Sequence, residues 1–133
     1  LRIGIRIDHA NDADLDIWLI PPGVTWAGPY TATGNGPNVT PPAGVIELST
    51  DNGGTGNDYG TGAISFVYSN FSRNGDRQFS TGNTPVTGGA SPFTAVSGYI
   101  EEGAANFNAM YGQSPVGNWT IAIADDNVIT IVI

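Results

Sequence analysis

The chain has 133 residues and a formal net charge of −8, from twelve acids set against Arg2, Arg6, Arg73 and Arg77, with no lysine and no cysteine. That charge repels phosphate backbones and anionic lipid, which argues against nucleic-acid and membrane-surface partners and suits divalent cations better. The missing cysteines exclude disulfides, thiolate metal sites and a cysteine nucleophile, and the length suits one domain, residues 1–133, rather than two.

Nineteen glycines and nine prolines, with few helix formers, place the chain in the all-β class, as short strands separated by turns. In chain order, LRIGIRID alternates, with Leu1, Ile3, Ile5 and Ile7 on one side, and reads as a half-buried strand. An acidic loop follows, then LDIWLI as a second strand with Leu15, Ile17 and Leu19 inward and Trp18 opposite them. The turn PPG ends it. Residues 21–44 read mostly as loop, with Trp26 and Tyr30 placed over the end of the core, and VIEL is a short strand.

A long Gly/Asp/Asn loop then leads to AISFVYSNFS, a strand, and Asn74-Gly75 signals a hairpin into DRQFS. Residues 81–92 read as loop, FTAVSGYIEE as strand, and GAANFNAMYG as the one stretch suited to a helical turn. NWTIAIAD and NVITIVI close as a hairpin across residues 125–127. No apolar run approaches the ~20 residues of a membrane span. Roughly eight strands at this spacing predict an antiparallel β-sandwich of jelly-roll type. The absence of Met at Leu1 implies a processed chain or a fragment.

The acidic stretch DHANDADLD raises the question of chemistry. Asp12, Asp14 and Asp16 stand two residues apart, and in an extended segment their carboxylates share one side. Such crowding of like charge is relieved either by solvent or by a cation. Calcium needs six to eight oxygens, and Asp51, Asn52, Asp58, Asp125 and Asp126 are the natural further donors. An EF-hand is excluded, because the loop has Ile17 and Gly23 where that motif requires Gly and Glu. Calcium ligation by Asp12, Asp14, Asp16, Asp51, Asp58 and Asp125 and a solvated loop therefore stand side by side. Zinc is disfavoured by a lone histidine without cysteine. The glycine clusters lack any Gly-Lys-Ser/Thr and read as turns. Trp18, Trp26, Tyr30 and Tyr59 are the candidates for a sugar-stacking platform, and the sequons at Asn38, Asn70 and Asn118 are of a number expected by chance.

Two patterns fit together. One is His9-x4-Asp14-Leu15-x-Ile17-x-Leu19-x-x-Pro22, and the other is Gly112-x4-Gly117-x-Trp119-x-Ile121-x-Ile123-x-Asp125. With the intervening ELSTDNGGTGND they resemble the P domain (P/Homo B domain) of proprotein convertases and many secreted bacterial proteases. The resemblance covers roughly residues 3 to 127. It implies a jelly-roll sandwich without catalytic residues, stabilising a neighbouring protease and sometimes holding calcium. His9 then falls where that family also carries a structural histidine. Trp119, Ile121 and Ile123 are expected to supply core, and Gly117 a tight turn ahead of them.

The sequence departs from the family in three places. Pro22 and Gly23 are adjacent, the family's strand ahead of the one starting at Leu1 has no counterpart, and the segment after Asp125 is short. A sheet short of a strand exposes amides and apolar side chains that another polypeptide can cover. The expected function is a non-catalytic extracellular structural or assembly module, a surface filament subunit joined by β-strand complementation and stabilised by calcium. The alternatives are the accessory P domain of a covalently linked subtilisin-like or metallo-protease, and a carbohydrate-binding or adhesive module. All three place the chain outside the cell or on its surface.

Overall fold

A computed structural model of the chain describes residues 2–29, 39–52, 59, 69–72, 84–85, 99–100, 105, 107–110 and 112–126. Among them are seven strands and two short 3-10 turns, and no helix long and apolar enough to cross a membrane. The all-β class follows from this. The expected strands at residues 76–80 and 127–133 and the loop donors around Asp58 lie outside the described residues.

Strand β1 (Arg2–Ile5) pairs antiparallel with β4 (Ser69–Ser72), from Arg2↔Ser72 to Ile5↔Ser69. Its alternation works as the sequence implies: Ile5 is buried, and Ile3 and Ile7 pack against the same cluster. The sheet continues through β6 (Tyr99–Ile100) to β5 (Thr84–Pro85), in the order β1-β4-β6-β5. The β4/β6 and β5/β6 contacts are parallel, so this sheet is mixed rather than wholly antiparallel. Strand β5 falls in a stretch whose Gly and Thr content predicts loop, and it is two residues long.

The second sheet has the order β3-β2-β7, with β2 (Leu15–Ile20) between β3 (Ile46–Ser49) and β7 (Thr120–Asp125). All six residues of β2 are buried. Its two faces are covered by different parts of the chain. Leu15, Ile17 and Leu19 join Ile46, Leu48, Ile5, Tyr59 and Phe107 in one cluster, which ties β1 to this sheet. Trp18 and Ile20 join Val45 and Ala122 in another, under Val24 and Trp26. Trp26 therefore covers the outer face of the sheet, not the end of the core. It meets the Trp18 ring edge-on, with centroids 5.4 Å apart and planes at 83°, the geometry that aromatic quadrupoles favour. Burying a side chain of this size contributes on the order of 2–3 kcal/mol.

The turn at residues 21–24 closes with Val24 N donating to the Pro21 carbonyl, and Gly23 there has φ +83°. The turn ahead of β7 packs against it. Gly117 has φ +134°, and a Cβ there would lie 2.6 Å from Pro22 Cβ. Glycine is required on both counts. Phe107–Met110 forms the expected helical turn as a 3-10 turn, with Phe107 in the core.

Candidate functional site

The acidic residues gather at one end of the β2/β7 ladder, but not as an extended row. Asp12–Asp14 is a 3-10 turn, closed by Asp14 N donating to the Asn11 carbonyl. Asn11 Nδ2 donates to Asp14 Oδ2 at 2.8 Å. Residues 12–14 are thus wound into a turn ahead of β2, and the extended row that spacing suggests for Asp12, Asp14 and Asp16 does not form; Asp14 adjoins the start of β2 and Asp16 lies within it. Both are buried.

The ladder decides which other acids join them. Leu15 is paired with Asp125, and Asp126 N donates to the Asp14 carbonyl at 2.9 Å. Asp16 shares the Trp18 face by strand alternation, and Asp126 meets Asp14 through its backbone just beyond the last ladder pair. Asp125 points to the Leu15 face instead, where its Oδ2 lies 3.5 Å from His9 Nε2. Asp51 is exposed, with φ +51°. Asp58 lies outside the described residues, and so does the side chain of Asp12. Asp14, Asp16 and Asp126 thus lie near one end of the ladder, and Asp125 sits on its Leu15 face. Among the described residues no group of three or more His, Asp or Glu side chains is arranged to hold a metal ion.

His9 is held at both ring nitrogens. Nδ1 lies 2.9 Å from the Asn11 carbonyl and 3.3 Å from the Asn11 amide, and Nε2 faces Asp125. The ring links the loop after β1 to the end of β7.

A polar chain that residue spacing does not foretell runs from β3 to Tyr59. The Tyr59 and Ser49 hydroxyls are 2.7 Å apart; Asn52 Nδ2 donates to Ser49 Oγ and to the Thr50 carbonyl; Thr50 Oγ1 donates to Glu47 Oε1. Tyr59 and Ile7 exchange backbone hydrogen bonds of 2.9 Å, which anchors this chain to the strand region of the first sheet. A lone tyrosine inside a Gly/Asn-rich loop was the available signal.

The two outer strands of this sheet differ. In β3 the register slips: Ile17 is paired with Ser49 and Trp18 with Glu47, so Leu48 is an extra residue that bulges toward the core. Strand β7 pairs with β2 over six residues without a slip, from Leu15↔Asp125 to Ile20↔Thr120. Among the described residues β7 pairs with β2 alone. Ile121 and Ile123, expected to be core, are 42% and 45% exposed. They share the face of Leu19 and Ile17, their ladder partners, but sit one strand further out, where the cluster ends. Trp119 does pack against the cluster, with Nε1 donating to the Pro115 carbonyl.

Trp18 is wholly buried, which removes it from any sugar-stacking platform. Tyr59 is buried as well, and Tyr30 lies outside the described residues. In comparisons with known proteins, no family model, no curated protein and no solved structure matched the chain.

Proposed function

We propose that the chain is a non-catalytic structural module, a P-domain-like jelly-roll sandwich, that assembles outside the cell by strand pairing along β7. The observation that carries this reading is the character of that edge. Strand β7 pairs with β2 without a register slip, is six residues long, uncharged until Asp125, free of proline and lysine, and carries two half-exposed isoleucines. Edges of this kind template pairing with another chain unless they are blunted. Copies joined head to tail along such an edge extend into a filament, because a heterologous contact need not close.

The formal charge of −8 opposes association of copies. Salt or calcium lowers that repulsion. Calcium is part of the proposal, with the buried carboxylates of Asp14 and Asp16 and the neighbouring Asp126 as its support.

Sedimentation and electron microscopy of the purified protein test the reading. Multimers that lengthen on adding salt or millimolar calcium are the expected result. Monodisperse monomers in every condition would overturn it. Calcium has a separate readout: a raised melting temperature by mass action, diminished in Asp14→Ala and Asp16→Ala. No shift in the wild type would leave the acidic turn as a structural element alone.

A further inference from the structure

We propose that Asn118 is a glycosylation site, whose side-chain amide takes a glycan from a lipid-linked sugar donor and carries it in solvent just ahead of β7. The proposal rests on the extracellular part of the reading above.

The sequence holds Asn-x-Ser/Thr at Asn38, Asn70 and Asn118. Their number decides nothing, but their placement separates them. A glycan is bulky and hydrated, so a folded chain carries one only where the acceptor stands in solvent. Asn38 lies outside the described residues. Asn70-Phe71-Ser72 runs within β4, which has β1 on one side and β6 on the other; Asn70 is paired with Gly4 and Phe71 with Tyr99. Asn118 instead stands ahead of the first residue of β7, and both Asn118 and Thr120 are exposed.

The surroundings hold this acceptor at the surface. Gly117, the residue before it, is packed against Pro22. Trp119, the bulky residue between the amide and the hydroxyl, packs against the core cluster and donates from Nε1 to the Pro115 carbonyl. The indole is thus engaged with the protein, while the residues on either side of it meet solvent. Val116, two positions before Asn118, is 81% exposed, more than any other large apolar residue among those described. A sugar rooted at Asn118 lies within reach of it and shields it from other apolar surfaces.

The chain supplies only the acceptor. Asn118 Nδ2 bonds to C1 of the sugar, and the bond from C1 to the phosphate oxygen of the donor breaks. The electron pair leaves with the phosphate, and one amide proton passes to a base of the transferase. The Thr120 hydroxyl is the part of the motif that the transferase recognises.

The test sends the full-length chain through the secretory pathway of a eukaryotic expression host and reads its intact mass before and after an amidase that releases N-linked glycans. One glycan is expected to be lost in Asn118→Gln and in Thr120→Ala, and kept in Thr120→Ser and Asn70→Gln. Asn118 and Thr120 are exposed, so these replacements leave folding intact, which far-UV circular dichroism of the secreted variants checks. Equal glycan content in the wild type and Asn118→Gln would overturn the proposal, whether that content is one glycan or none. Sedimentation of the same material keeps this result apart from the assembly reading. A glycan on Asn118 of a chain that stays monomeric before and after its release would uphold the site and overturn assembly along β7. Multimers of a wild-type chain secreted without a glycan would overturn the site and leave assembly standing.

Discussion

Strands β3 and β7 flank the same central strand and yet meet the surroundings in opposite ways. Strand β3 is four residues long, bulged at Leu48, and backed by the hydrogen-bonded chain from Tyr59 to Glu47. Its apolar side chains are buried. Strand β7 is longer, regular, and keeps Ile121 and Ile123 half in solvent. A bulge and a polar network mark one margin of the sheet, whereas neither feature occurs along the other among the described residues. The difference teaches that a sheet's two margins are separately adjustable, and that polar side chains inside a fold can decide which margin stays available.

The comparison breaks if the two strands respond alike to truncation. Leu48→Ala removes a fully buried side chain from the bulge and is expected to cost about 2–5 kcal/mol, read as a lowered urea midpoint at unchanged slope. Gly117→Ala, in the turn that leads into β7, is next. Its new methyl collides with Pro22 at 2.6 Å and its backbone is left-handed, so a loss of about 1–3 kcal/mol is expected in the same titration. Tyr59→Phe deletes the hydroxyl that meets Ser49 and sharpens the comparison from the polar side; a loss of about 1 kcal/mol is expected by thermal unfolding. Ile123→Lys comes last in stability, within about 0.5 kcal/mol, because the side chain is half exposed. Its effect on assembly is the reverse: multimers in sedimentation should vanish, as an inward charge on an edge blocks strand addition. Equal stability losses for Leu48→Ala and Ile123→Lys would show that both margins are equally packed.

Much of the sheet was legible in the residues. The alternation of Ile3, Ile5 and Ile7, and of Leu15, Ile17 and Leu19, gave the inward faces, and Gly117 marked a turn that only glycine allows. Parity does not reveal which strand lies at the margin. For that reason Ile121 and Ile123 read as core and sit half outside it. The bulge at Leu48 left no mark either, since VIEL is as regular a strand pattern as any. The acidic row failed for a local reason. Asn11 accepts from Asp14 N and its side chain binds the Asp14 carboxylate, which winds residues 12–14 into a turn before the strand begins. Asp126, weighed only as a further donor in the sequence, emerges as the companion of Asp14 because cross-strand pairing is a tertiary fact that spacing along the chain cannot supply.

The perpendicular indoles of Trp18 and Trp26 have a practical consequence. Two such chromophores at this separation couple electronically, and their circular dichroism changes sign across the band when the coupling is intact. The protein thus carries an optical gauge of whether residues 21–29 lie on their sheet. Because Trp18 is sealed and Trp26 is not, a soluble quencher reaches one before the other. With Trp119, the third indole, replaced by Phe, loosening of that flap can be timed separately from events along the opposite margin.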